Sequence, residues 1–475
     1  MPRMPDPDEI QQLLADALLR LDGFVALHSM ERLSGGASQE TYRLSVDMVE
    51  GARSLALRRS IGPAGERGFG GPGLAVEARL MALARRAGVP GPDVHMALRP
   101  EDGLGEGFVM EWIAGESLGA RINRSDELVA ARAGLARECG QALARIHAID
   151  LNSTGLNDDL HEVGPAEEVR QTWERYQGFD SPQPMIDFTA RWLLDHLPPE
   201  TDASLVHGDF RNGNLLVGPT GMTAVLDWEI AHIGDPMRDL GWLCTASWRF
   251  GHPEKPVGGF GSYEDLFAGY EAESGRVVDP AHVRFWEVFG SFWWSVGCLG
   301  MADQYRAGLD RSVERAAIGR RSSECQVDCV NLVIPGPATG VVREGGDDGP
   351  DLPRVDELVE SVRGFLRFEV VPAMDGRTGF LARVAANSLD IVGREMEHGA
   401  ESRRLEADRL RNLLGVDGTL GELRLLLAEG LRYGTIPMDA DGLVEHLRNT
   451  VVNQVLIDQP TYPGCIAALG VDADS

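Results

Sequence analysis

LVHGDFRNGNLLV, residues 205–217, places Asp209 five positions ahead of Asn214. A short apolar run from Leu215 to Val217 follows and reads as a strand. Gly218, Pro219, Thr220 and Gly221 are a turn by composition. A second run from Thr223 to Leu226 leads into Asp227. The turn makes the two strands a hairpin. The hairpin folds the chain back, so that Asn214 at its start and Asp227 at its end lie side by side. Two hard oxygen donors plus a separate carboxylate are what magnesium–nucleotide chemistry requires. The spacing assigns Asn214 and Asp227 to Mg2+, and Asp209 to an attacking hydroxyl as base. Each aspartate alone would be a polar turn; the whole arrangement points to chemistry.

Upstream of this stretch the chain is β-rich. Residues 24–26, 41–46, 55–58 and 108–112 are short apolar or β-branched runs separated by turns. A helix over about residues 74–87 interrupts them, and after Gly115 the pattern turns mostly helical. A small β-rich lobe followed by a larger helical lobe gives an α+β, two-lobed layout with a cleft where the lobes meet.

The HGDFRNGN…LDWE arrangement resembles the catalytic loop and metal-binding aspartate of the aminoglycoside phosphotransferase/choline kinase family. These are small-molecule relatives of protein kinases that share H-R-D-x4-N and D-F-G logic. The wording HGDFRNGNLL, LDWE and GDP-x2-DL is closest to the bacterial branch that includes kinase domains fused to acyl-CoA dehydrogenases. The resemblance covers about residues 24–330 and implies a protein-kinase-like fold that uses ATP and Mg2+. It implies roles for further residues. Ser34, Gly35 and Gly36 form a phosphate-covering turn between the first two strands. Ala56 and Arg58 share one face of the third strand. Ala56 therefore lies under adenine, and Arg58 takes the place of the kinase phosphate-binding lysine. Glu77, early in the following helix, is the partner of Arg58. Glu111 and Ile113 offer hinge backbone to adenine, and Arg211 offsets charge on the transferring phosphoryl group. His207 braces the loop, Asp239 bonds the catalytic-loop backbone, and Asp235 and His147 are structural. The glycine-rich residues 62–73 lack the Lys-Ser/Thr of a P-loop and read as a loop on the cleft rim.

Composition limits the partners. Among 475 residues, 45 basic against 73 acidic ones give a net charge of −28. That excludes nucleic acid and anionic lipid surfaces. The start is acidic and then amphipathic, without the regions of a signal peptide. The most apolar stretch, residues 288–302, is too short to span a bilayer and reads as a buried helix. Six cysteines make neither a disulfide framework nor a zinc set. These features together indicate a cytoplasmic protein.

Residues 335–353 are rich in Gly, Pro and Asp and read as a linker. The chain then divides into an N-terminal helix (1–23), an N-lobe (24–115), a C-lobe (116–334), the linker and an all-α domain (354–475). Leucine and valine stripes, among them Val355, Leu358, Val362 and Phe365, predict a bundle of about five short helices. That domain offers a surface for self-association or partner binding. The acceptor implied is a small-molecule hydroxyl. A hydroxyacyl-CoA follows from the branch, with aminoglycosides and choline- or homoserine-type metabolites as alternatives. A nucleotide-binding regulator without transfer activity is the reading from another class.

Overall fold

Burial alternates along Gln39–Met48, with Tyr42, Leu44 and Val46 turned inward. This is the period of a strand with one covered face. The computed structural model describes residues 7–33, 39–60, 71–341, 353 and 355–470. It places five strands in one antiparallel sheet: β1 (Phe24–Arg32), β2 (Gln39–Met48), β3 (Gly51–Ser60), β4 (Val94–Ala97) and β5 (Gly107–Glu111). Their spatial order is β1-β2-β3-β5-β4.

Each face of this sheet has its own cover. Leu44, Leu55, Leu57 and Val109 pack with Ile10, Leu14, Ala17 and Leu18 of the helix Pro7–Leu18. Ala56, Phe108 and Met110 join the main core together with the helix Leu74–Arg86. Ala56 pairs with Met110 and Arg58 with Phe108. Arg59 lies on the opposite face, buried against Glu40. The alternation read from the sequence therefore holds.

Beyond Glu111 the described chain is largely helical. β6 (Ser204–Val206) pairs with β9 (His232–Gly234), and β7 (Leu215–Gly218) forms a hairpin with β8 (Gly221–Val225). The helices Val129–His147 and Tyr263–Ser274 cross where each lacks a side chain. A Cβ on Gly140 would stand 2.2 Å from the Leu266 carbonyl oxygen, and one on Gly269 would stand 2.2 Å from that of Arg137. The apolar residues 288–302 lie inside the helix Pro280–Arg306, with Val288, Phe289, Phe292 and Val296 buried. Among the described residues no helix is long and apolar enough to cross a membrane. All six cysteines are free and buried.

The C-terminal part is helical, as its spacing predicts, but differs in detail. The helix Gly376–Leu414 runs unbroken for 39 residues, so the bundle is not made of short helices alone. Its sequence has neither proline nor a strong stop before Gly415. The helix Val355–Phe365 forms, yet Val355, Leu358, Val362 and Phe365 are each more than half exposed. Ion pairs hold this end instead, with Arg363 and Arg367 2.8 and 2.7 Å from Asp390.

The first residues read as linker are tied down. The Ala338 N–H donates to the Ala468 carbonyl at 3.1 Å, and the Thr339 N–H donates to Asn449 Oδ1 at 2.8 Å. Residues 342–352 lie outside the described residues. The core does not break at this segment. Leu410, Leu423, Leu427 and Leu431 belong to the same apolar cluster as Leu193 and Val330. Arg432 also stands 3.2 Å from the buried Asp187.

This shared core has a consequence for stability. Leu431→Ala deletes a fully buried side chain and should cost about 2–5 kcal/mol. Scanning calorimetry should show the transition of the whole chain moving down. A new low-temperature transition with the remainder unmoved would contradict a shared core.

Candidate active site

The loop between β6 and β7 is shaped by one buried carboxylate. Asp239, fully buried on the helix Met237–Cys244, accepts from the His207 N–H at 2.8 Å and the Gly208 N–H at 2.9 Å. His147 Nε2 lies 3.2 Å from the same carboxylate. Burial would raise the Asp239 pKa, but the His147 hydrogen bond and nearby positive charge outweigh it and bring it to about 2. Gly208 has φ +83°, and a Cβ there would sit 2.5 Å from the Ile230 carbonyl oxygen. His207 Nδ1 accepts from the Asp209 N–H at 3.2 Å, and its Nε2 lies 3.2 Å from the Leu226 carbonyl. These bonds fix the neutral Nε2–H tautomer, and burial lowers the ring's pKa further. His207 therefore braces the loop.

So positioned, the Asp209 carboxylate is held by three donors. Oδ1 accepts from Arg211 Nε at 2.9 Å and Trp242 Nε1 at 2.8 Å, and Oδ2 accepts from Asn214 Nδ2 at 2.6 Å. With its Nδ2 committed to Asp209, Asn214 has its amide oxygen left as a ligand atom. The Leu226 N–H donates to the Asn214 carbonyl at 2.8 Å, which closes the foot of the β7–β8 hairpin and brings Asp227 alongside. Asp227 adopts φ +69°, an uncommon value for a residue other than glycine.

Facing Asp227 across the cleft is Arg58. Its NH2 reaches Asp227 Oδ1 at 2.5 Å and its Nε reaches Gln39 Oε1 at 2.5 Å. Glu77 Oε1 lies 3.2 Å from Arg58 Nε, an ion pair without hydrogen-bond alignment. Glu229 Oε2 is 3.9 Å from Arg58 NH2. Burial disfavours the Arg58 charge, but Glu77 and Asp227 outweigh it and raise its pKa above the usual arginine value. Burial pushes Glu77 up to about 7 despite Arg58, and burial with the Asp227 charge does the same to Glu229. The expected Arg58–Glu77 pair is thus present, and Arg58 also spans to the carboxylate assigned to the metal.

The segment expected to be the hinge lies at the end of β5. Glu111 is its last residue, and Ile113 is half-buried two positions on. The chain then clamps onto the hairpin, since Glu116 and Val217 exchange backbone hydrogen bonds at 2.9 and 3.0 Å. Ala56 is buried in the core that both lobes share. Ser34, Gly35 and Gly36 lie outside the described residues, as do residues 61–70 of the glycine-rich loop.

Four residues escaped the sequence reading. Trp242 donates to Asp209, and Trp248 stacks under Arg211 with the guanidinium 4.3 Å from the ring centre. Trp242 lies three residues after Asp239 on one helix, so both face the loop; that spacing was a usable signal. Gln39 and Glu229 join the Arg58 cluster, and Glu229 stands in the LDWE motif itself. Asp235 is structural: it caps Met237 N–H at 2.9 Å and lies 2.5 Å from His282 Nε2.

A family model described as the phosphotransferase enzyme family (APH) matches residues 29–275, just over half of the chain. The chain belongs to the phosphotransferase enzyme family. A second model, a domain of unknown function (DUF6285), matches residues 372–462. The chain is 31% identical over 263 residues to acyl-CoA dehydrogenase family member 10 of Mus musculus, covering 51% of its own length and 23% of the relative. It is 26% identical over 320 residues to acyl-CoA dehydrogenase family member 11 of Homo sapiens, covering 62% and 38%. It therefore spans well under half of either relative. Among solved structures it is similar to an aminoglycoside-phosphotransferase-like protein of Ralstonia eutropha JMP134. That match has a TM-score of 0.52 and 23% identity and covers 66% of this chain and 95% of the other. The likeness shows the fold: a two-lobed, kinase-like architecture.

The Arg58 cluster carries a testable pH signature. The folded Glu77 pKa, about 7, lies above its ordinary value of 4.5. Its protonation therefore contributes stability below pH 4.5 that is lost as pH rises through about 7. Glu77→Gln cannot titrate. The stability difference, wild type minus variant, should fall between pH 4.5 and 7 in denaturant melts. A constant difference would contradict the assignment.

Proposed function

We propose that this phosphotransferase moves the γ-phosphate of ATP to a hydroxyl of a small molecule. One observation carries the reading: Asp209 bonded to Asn214 at 2.6 Å, with Asn214 tied to the foot of the hairpin that ends in Asp227. The donor set suits Mg2+, since the Asn214 amide oxygen and the Asp227 carboxylate are hard ligands on adjacent strand ends. Bound there, Mg2+ would neutralise charge between the β- and γ-phosphates. Asp209 orients the acceptor hydroxyl and accepts its proton. Arg211, stacked on Trp248, faces the same carboxylate and offsets phosphoryl charge. Arg58 exchanges Asp227 for phosphate oxygens, which its planar fork suits. Ala56, Glu111 and Ile113 form the adenine slot, and Ser34, Gly35 and Gly36 cover the phosphates.

We assign the acceptor to the hydroxyacyl-CoA class. The named relatives are acyl-CoA dehydrogenase family members. Besides Asn214, Arg211 and Trp242 bond the Asp209 carboxylate, Trp248 stacks under Arg211, and Trp293 packs 5.3 Å from Trp242. A cationic aminoglycoside or choline would meet arginine there, whereas an acyl chain carrying distal phosphates would meet apolar rings and positive charge. Six free, buried thiols support a reducing, cytoplasmic setting.

The test couples ADP release to ATP and three acceptor classes: hydroxyacyl-CoA thioesters, aminoglycosides, and choline or homoserine. Turnover is expected with the thioesters. Asp209→Ala should bind ATP normally yet lose about 10²–10⁴-fold in turnover. Normal turnover by that variant would overturn the assignment of Asp209. Turnover with aminoglycosides alone would overturn the acceptor class.

A further inference from the structure

The helix Val355–Phe365 is amphipathic, and its apolar side is turned outward. Val355, Leu358, Val362 and Phe365 recur at spacings of three, four and three residues, which places them on one stripe. That spacing is the seam of a helix that faces another helix. The helix packs along the helix Gly376–Leu414, where Arg363 and Arg367 meet Asp390. Val359 and Leu366, beside the stripe, are half-buried. The stripe itself stays open. Its four side chains are 52–64% exposed, and Phe368 in the next turn is 75% exposed.

The size of this face fits one kind of cover. At about 150 Å2 for each side chain, the five together present on the order of 450 Å2 of apolar surface to water. A standard interface buries about 800 Å2 on each partner, somewhat over half of it apolar. The face therefore matches one partner's apolar share of a stable dimer contact. Two copies of it, meeting each other, supply that amount from both sides.

Charge favours a second copy over a lipid surface. The polar side of the helix begins with Asp356, Glu357 and Glu360 and ends with Arg363. Arg367 follows in the next turn. A helix that lies on a membrane is rich in Lys and Arg along its whole polar side. Antiparallel pairing about a two-fold axis instead sets the acidic half of each copy beside the basic half of the other. Such a contact is closed and stops at two copies.

We propose that the chain is a homodimer, joined where the helix Val355–Phe365 of one copy packs antiparallel on the same helix of the other. Val355, Leu358, Val362 and Phe365 form the centre of the contact, with Phe368 at its rim. None of the residues assigned to catalysis takes part.

Sedimentation velocity of the full-length chain over a dilution series tests this. A reversible dimer with a Kd of about a micromolar or tighter is expected. Val362→Glu and Phe365→Glu each place a charge inside the contact and should weaken it at least about tenfold. Both positions are exposed within one copy, so thermal melts of dilute, monomeric protein should match wild type. Leu425→Glu changes another exposed apolar side chain, on the helix Leu420–Arg432, and should leave the dimer unchanged. An equimolar mixture of Val362→Glu and Val362→Lys should recover dimer, because both copies bring position 362 to one contact. A wild-type monomer throughout the series would mean that no second copy covers the face, and would overturn the proposal. So would a dimer that survives both glutamate substitutions, a dimer lost in Leu425→Glu, or an oppositely charged mixture that stays monomeric.

Discussion

The site depends on the Asp239 carboxylate, which has no contact with solvent and accepts two successive backbone N–H groups, those of His207 and Gly208. A buried charge of this kind is stable only when its hydrogen bonds are satisfied. Here the requirement runs outward. His147 comes from the helix Val129–His147, the loop backbone from the segment after β6, and Asp239 from the helix Met237–Cys244. Arg238, next to Asp239, donates to the Gly208 carbonyl at 2.7 Å and to Glu168 at 3.0 Å. The turn at Gly208 is thus fixed from both of its peptide faces, and Asp209 follows from it. Such support holds the Asp209 carboxylate at one defined position without reorganising.

Charge is arranged locally against the net. The chain carries −28 overall, yet Arg58 and Arg211 converge on the cleft from opposite lobes. Lys255 is the only lysine in the sequence, so arginine at position 58 follows a bias of the whole chain. The geometry suits the exchange: one guanidinium reaches Gln39 and Asp227 while also facing Glu77 and Glu229. An ammonium of similar reach, as a point charge, could not span these partners in one plane.

The parts legible in the sequence were those set by local rules. The β7–β8 hairpin follows from turn residues between two short runs, and the bond of Asn214 to Leu226, the residue before Asp227, follows from the hairpin. The shared face of Ala56 and Arg58 follows from strand periodicity. Contacts across long separations were not legible. Nothing near Trp248 announces that it stacks under Arg211, and Gln39 shows no sign of its bond to Arg58. The exposed face of Val355–Phe365 reads as core by period, because period says which residues share a face and not whether anything covers it. The segment read as a linker likewise gave no sign that the helices beyond it share the C-lobe core.

The central claim is that one loop and one hairpin bring the proton acceptor and both metal ligands together. A crystal structure with Mg2+ and a non-hydrolysable ATP analogue tests it most directly. The expected result is a magnesium ion about 2.0–2.1 Å from oxygens of Asn214 and Asp227, with Arg58 moved from Asp227 to phosphate and the γ-phosphate turned toward Asp209. A metal bound without either residue, or a nucleotide outside the cleft between β3 and the β7–β8 hairpin, would contradict it.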